Sequence, residues 1–262
     1  MIRSSKLADE RREAGSIECW LMHGAVGMAA DWREFAMSLA ERKTGSRAVD
    51  LWRFLECDPL PIASFGAPFN ADAGDNARGT PKALLGYSMG GRLAMHALLA
   101  DPQPWQAAVI VSAHPGLENA ADREARRSAD AEWASRALTM PWKDFLTAWD
   151  AQPVLDGRIA RQPGAAGALS MRRREIARSF VDWSLGAQQP LWDRLPGIAI
   201  PVLWVAGEHD VKFLELARRA VALMPQATLA IAPGAGHRVP WQACGWLARR
   251  VAEFLTDPQA AG

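Results

Sequence analysis

The chain has 262 residues with 49% hydrophobic and 23% charged residues, which suits one large domain or one domain with an insert and excludes a disordered chain. A formal net charge of +1 excludes the strong global field that would draw in nucleic acid or an acidic membrane surface. Cys19, Cys57 and Cys244 are an odd, sparse set without a CxxC pair, so neither a disulfide framework nor a zinc site is expected, and a reducing, cytoplasmic compartment fits. Met1 to Gly15 is charged and lacks an apolar h-region, so it does not read as a signal peptide. No apolar run approaches the roughly 18 residues of a membrane span. Aromatic usage is unusual, with 12 Trp against a single Tyr.

In chain order, Ser16 to Met22 is a compact apolar run that ends in His23-Gly24. Asp31 to Glu41 follows with Trp32, Phe35, Ala36 and Leu39 at helical spacing and Asp31 placed as its N-cap. Arg47 to Leu51 is a second short run. Pro61 to Asn70 puts Ile62, Phe65 and Phe69 on one helix face, and Ala71 to Thr80 reads as a loop. Lys82 to Tyr87, Ala107 to Val111, Ile200 to Ala206 and Ala227 to Ile231 complete about six strands. Helices fit Met89 to Leu99, Val211 to Met224 and Trp241 to Leu255. Alternating strands and helices predict an α/β fold, a mostly parallel sheet covered by helices on both faces. The alternation stops between Pro115 and Leu195, where Arg-rich, Trp-containing helical stretches stand alone. Residues 1–114 and 196–262 therefore read as the core. Residues 115–195 read as a helical cap placed over the carboxyl ends of the strands, where open α/β sheets bind ligands.

Gly86-Tyr87-Ser88-Met89-Gly90 matches G-x-S-x-G, with an apolar strand before it and a helix after it. That context defines a nucleophile elbow, in which Ser88 occupies a strained strand-to-helix turn and the flanking glycines leave room for it. Of the five histidines, His96 falls inside the following helix and His237 stands on a Gly-rich turn after the last strand, so His237 is the candidate base. The orienting acid is expected between them in sequence. Asp210 lies just past the fifth strand and is the first candidate; Glu208 is the rival, and a plain helix N-cap is the alternative role for Asp210. Backbone N–H groups of Ala25, after the first strand, and of Met89 are the candidate oxyanion donors. His23 reads as a packed, hydrogen-bonded residue.

His23-Gly24, Gly86 to Gly90 and Gly236-His237 resemble the α/β-hydrolase superfamily across nearly the whole chain. The middle of the chain is more specific. Gly86 to Arg92, His114-Pro115-Gly116-Leu117, Arg123 to Trp133, Trp149 with Gln152-Pro153-Val154, and Gly207 to Phe213 resemble the 2-succinyl-6-hydroxy-2,4-cyclohexadiene-1-carboxylate synthase family of menaquinone biosynthesis. The resemblance implies a lyase. Ser88, supported by His237 and Asp210, would take the proton alpha to a succinyl ketone, pyruvate would leave through a conjugated elimination, and the oxyanion hole would hold the enolate-like charge. It also implies a small polycarboxylate substrate, which gives the arginines a purpose, because Arg clamps carboxylates bidentately. Tyr87, Arg92, Arg126, Trp149 and Lys212 match family pocket positions. A further arginine is expected among Arg172, Arg173, Arg174 and Arg178, with Arg174 taken as the representative, although spacing does not choose among the four. Solvated helix faces and core packing are the structural alternatives for these side chains.

Two departures stand out. Asp50-Leu51-Trp52-Arg53-Phe54-Leu55 replaces the usual Asp-Leu-Pro-Gly-His-Gly segment beside the site, and Ala25 stands where the family often has an aromatic. The competing chemistry on this fold is a serine ester or thioester hydrolase, with Ser88 as nucleophile, acting on a small carboxylate-bearing substrate. No metal or organic cofactor is expected, because a triad and two N–H donors suffice for either reaction. Oligomeric state is left open by the sequence.

Overall fold

The computed structural model describes residues 17–75, 80–101, 103–155 and 164–257. The reading of Met1 to Gly15 falls outside them. Six strands form one parallel sheet: β1 (Glu18–Met22), β2 (Gly45–Val49), β3 (Lys82–Tyr87), β4 (Trp105–Val111), β5 (Val202–Gly207) and β6 (Ala227–Ala232). Their order is β2-β1-β3-β4-β5-β6. The chain steps outward from β1 to β2 and then returns to the other side of β1, so the switch point lies between the carboxyl ends of β1 and β3. Ligand crevices form at such a point.

The strands are apolar on both faces because both faces are covered. In β1, Trp20 and Met22 join one core while Cys19 and Leu21 join the other. The same two-residue period divides Leu84 from Leu85 and Trp204 from Val205. On the first face, α2 (Gly66–Asp75), α3 (Met89–Leu98) and α8 (Val211–Leu223) supply Phe69, Leu93 and Ala217. On the second, α1 (Arg33–Ala40) and α10 (Cys244–Thr256) supply Phe35, Leu39, Leu247 and Val251. The tryptophans are largely structural. Trp20, Trp32, Trp52, Trp183 and Trp204 are fully buried, and Trp20 and Trp105 interlock with Phe69 at centroid distances of 5.5–6.1 Å.

Several boundaries differ from the sequence expectations. The stretch from Ala71 is helix through Asp75, because Phe69 and Ala73 are buried one turn apart and Asn70 fastens the helix to its neighbour. The Asn70 side chain donates to the carbonyls of Ala97 (2.9 Å) and Ala100 (3.3 Å) and accepts from Trp105 Nε1. Strand β2 lies two residues earlier than expected, fixed by parallel pairing of Glu18 with Gly45 through Met22 with Val49. Asp31 does not cap α1; it sits in a 3₁₀ turn and its carboxylate accepts from the Met28 amide at 2.8 Å. The single C-terminal helix expected from Trp241 is two, α9 (Val239–Gln242) and α10, separated where Ala243 leaves helical geometry.

Between β4 and β5 the described residues hold four helices: α4 (Ala120–Thr139), α5 (Trp142–Asp150), α6 (Ala165–Ser170) and α7 (Arg173–Asp182). None of the described helices is long and apolar enough to cross a membrane.

Candidate active site

The site begins at the elbow. Ser88 has φ 52° and ψ −111°, a left-handed conformation that a non-glycine residue adopts only when its surroundings enforce it. They do so here from both sides. The Ser88 amide donates to the Val111 carbonyl of β4 (2.9 Å). A Cβ on Gly86 would lie 2.4 Å from the Gly90 carbonyl oxygen, and one on Gly90 would lie 2.4 Å from that of Met22. Strand, turn and helix are thus packed backbone to backbone, which only glycine permits.

Ser88 Oγ lies 3.1 Å from His237 Nε2, and His237 Nδ1 lies 2.8 Å from Asp210 Oδ2. The carboxylate accepts from Nδ1–H, which leaves Nε2 as the acceptor facing the serine hydroxyl. Asp210 precedes α8 but makes no side-chain cap, so the imidazole, not the helix end, occupies its carboxylate. Glu208 is engaged elsewhere, accepting from the Gly234 amide at 2.8 Å. The His237 ring packs 4.4 Å from the ring of Phe213 and 5.7 Å from that of Tyr87. The imidazole is therefore held by a carboxylate at one end and rings on its flanks.

A cavity of about 340 Å³ opens over this triad. Ala25 and Met89 line it beside Ser88. As the first residue of α3, Met89 has an amide with no intrahelical acceptor, and the register that pairs Met22 with Gly86 carries Ala25 to the same end of the sheet. Ala25 and Met89 thus flank Ser88 at the carboxyl end of the sheet. Arg92, Arg126, Trp149 and Lys212 line the same cavity.

The four cavity-lining matches are not equivalent. Arg92 is buried and donates to the Trp183 carbonyl (2.7 Å) and Gln188 Oε1 (3.2 Å). Burial, then nearby Arg126, push its guanidinium down to about 9, so it is still cationic at neutral pH. Arg126 donates through Nε to the buried Asp130 at 2.9 Å, and its side chain is 43% exposed. Trp149 meets Trp133 edge-on at 5.1 Å, forming an aromatic wall. Lys212 Nζ lies 5.9 Å from the Phe213 ring.

The structure does not place the remaining two candidates in the cavity. Tyr87 faces away from it, behind the elbow, buried against Gly24, Trp241 and His237. Arg174 is exposed on α7 and is not a cavity residue. Its three alternatives hold the fold. Arg172 pairs with Asp50 and Glu56, Arg173 donates to the carbonyls of Ala137 and Met140, and Arg178 donates to those of Leu55 and Cys57.

The altered segment from Asp50 to Leu55 is a 3₁₀ turn packed under α7. Its Trp52 is buried, donates to the Gly27 carbonyl (2.9 Å) and stacks on Trp183. It shapes the site from behind: His23 packs on Trp52, donates through Nδ1 to its neighbour Gly24 and accepts from the Leu51 amide.

Sequence reasoning missed several lining residues. Asp130 carries a legible signal, one helical turn after Arg126. Phe213, Trp133 and Gln152 fall inside the segments of family resemblance. Ser112 carries no motif; only the end of β4 brings it to the cavity. Among the described residues no cluster of His, Cys, Asp or Glu could hold a metal ion.

Residues 67–240 match the model of the Serine aminopeptidase, S33 family. Together with the parallel sheet, the elbow and the Ser-Asp-His order, this match makes the chain a member of the α/β-hydrolase class. It is 32% identical to the 2-succinyl-6-hydroxy-2,4-cyclohexadiene-1-carboxylate synthase of Serratia proteamaculans over 254 residues, covering 91% of this chain and 94% of that one. To the Citrobacter koseri enzyme of the same name it is 31% identical over 209 residues, with 76% and 80% covered. The solved structure of MenH from S. aureus superposes with a TM-score of 0.81 at 19% identity, covering 94% of this chain and 96% of that one. Within its class the chain belongs to the 2-succinyl-6-hydroxy-2,4-cyclohexadiene-1-carboxylate synthase family.

Proposed function

We propose that the protein eliminates pyruvate from 2-succinyl-5-enolpyruvyl-6-hydroxy-3-cyclohexene-1-carboxylate to give 2-succinyl-6-hydroxy-2,4-cyclohexadiene-1-carboxylate. The observation that carries this reading, beside family membership, is a complete triad beneath a cavity lined by Arg92, Arg126 and Lys212. Three cations around the triad suit a substrate with several carboxylates, and family membership selects the lyase over a hydrolase of a carboxylate-bearing ester.

Ser88 Oγ takes the proton from the ring carbon that bears the succinyl ketone as its own proton passes to His237 Nε2. Asp210 holds the imidazole in the tautomer that can accept it and stabilises the imidazolium that forms. The electron pair left on carbon delocalises onto the ketone oxygen, where the Ala25 and Met89 amides receive the charge. The charge returns through the ring: the C2–C3 double bond forms, the C3–C4 double bond moves to C4–C5, and the C5–O bond breaks. Enolpyruvate leaves, takes a proton and becomes pyruvate. No carbon–oxygen bond to Ser88 forms at any stage. Arg126 and Lys212 bind substrate carboxylates, and Arg92 adds its charge from the cavity wall.

Intact-mass spectrometry during turnover tests the step that separates lyase from hydrolase. Unmodified chain throughout steady-state diene formation is expected. An acyl adduct on Ser88 that forms and decays at the turnover rate would contradict it.

A further inference from the structure

From the end of β4 we infer that Ser112 and His114, beside Lys212, form a carboxylate subsite on the cavity wall, supplying two neutral hydrogen-bond donors next to one cation. The inference rests on the reading of this cavity as the site of a polycarboxylate substrate. All three residues line it.

Ser112 is fully buried, yet its hydroxyl has no hydrogen-bond partner. Buried polar groups are nearly always satisfied, and an orphan at a cavity wall is one that a bound ligand can complete. Its backbone is also strained, with φ 47° and its amide held by the Val205 carbonyl at 2.9 Å. Left-handed serine is costly to maintain and concentrates at functional sites. The strain here turns the chain off β4 so that residues 112 and 114 both reach the cavity.

For His114 the tautomer follows from one hydrogen bond. The Gly116 amide donates to Nδ1 at 2.9 Å, so Nδ1 is the acceptor and the ring proton sits on Nε2. Among the described residues Nε2 makes no hydrogen bond. The ring stands edge-on to Phe213 at 6.4 Å, which in turn packs on the triad histidine. Burial, then Lys212, Arg92 and Arg126, against the weaker opposite pull of Glu118, push the imidazole down to about 4. At neutral pH the ring is therefore an uncharged N–H donor with a fixed direction. A neutral donor beside a lysine binds a carboxylate oxygen without adding a further cation to a crowded positive wall.

Succinate serves as the carboxylate probe, titrated calorimetrically into the whole protein. His114→Asn keeps an acceptor for the Gly116 amide, and its shorter side chain no longer carries an N–H to the Nε2 position. Ser112→Ala removes the hydroxyl, and Ser112→Gly does so while relieving the backbone, so the test survives a poorly folding alanine variant. Succinate affinity is expected to fall about tenfold in His114→Asn and severalfold in the Ser112 variants, with melting temperatures near wild type. In the synthase assay KM should rise with kcat changed much less. Succinate affinities within twofold of wild type in the variants, or no binding to the wild-type chain at millimolar succinate, would overturn the subsite. Loss of succinate binding in the variants of a chain that shows no synthase turnover would leave the subsite standing and remove the functional reading instead.

Discussion

Arg126 enters the cavity with its Nε already committed to Asp130, whose other oxygen accepts from Ser184 at 2.7 Å. That bond fixes the guanidinium plane and leaves the two terminal nitrogens for a ligand, the geometry a carboxylate fork requires. Arg126→Ala should therefore lower kcat/KM by about 1.5–3 kcal/mol, the worth of a charged hydrogen bond, or roughly 10- to 150-fold. Arg174→Ala should leave both kinetic constants within about twofold, as surface changes do. Steady-state kinetics of the two variants side by side checks the assignment, and equal losses would refute it. The contrast also shows what sequence carries at this scale. Ser88, Asp210 and His237 were legible because the chemistry demands those residue types in that chain order on those turns. The arginines of α7 were not, because periodicity puts a side chain on a helix face without saying what lies opposite. Carbonyls of Ala137 and Leu55, not a ligand, turn out to face Arg173 and Arg178.

Helix α7 joins the segment between β4 and β5 to the core. It packs on α4 and on the turn that begins at Leu51, and its C-terminal Trp183 is the hub. The Trp183 indole donates to the Leu60 carbonyl (2.9 Å), stacks on Trp52 and meets Phe65 edge-on. Its carbonyl holds Arg92, so one residue connects the outer helices to the floor of the site. Trp183→Ala should cost about 3–5 kcal/mol of stability, the usual price of emptying a large aromatic site. Urea unfolding measures it; a loss below 1 kcal/mol would show that the helices stand without this anchor. Element existence was readable wherever an apolar run met a turn signal. Element edges were not, and α2 shows why. Ala, Gly and Asp after Asn70 read as loop by composition, but burial of Phe69 and Ala73 against α3 extends the helix to Asp75. Tertiary packing overrides weak local preference there.

At the scale of the whole molecule, three buried histidines outside the triad set the acid limit. Burial pushes His23, His96 and His114 each down to about 4. The unfolded chain takes up these protons below about pH 6.5, while the native state refuses them until about pH 4. Stability is therefore full above pH 6.5 and falls as pH drops through that window, by roughly 2 kcal/mol per histidine at pH 5. His96 lies away from the cavity, with Nε2 unpartnered and Arg92 and Arg194 adding to burial. His96→Leu should shrink the stability difference between pH 7 and pH 5 by about that amount. An unchanged difference would place the acid sensitivity elsewhere. The fold, the triad and the cations converge at the same end of the sheet, and the central claim is the reaction they perform together. It is tested most directly by generating the enolpyruvyl cyclohexene precursor in place and following diene absorbance and pyruvate release simultaneously, with Ser88→Ala as the control for spontaneous decay. Equal, rapid formation of both products by the wild-type chain, lost in Ser88→Ala, is the predicted result. A wild-type rate no greater than that of the variant would contradict it.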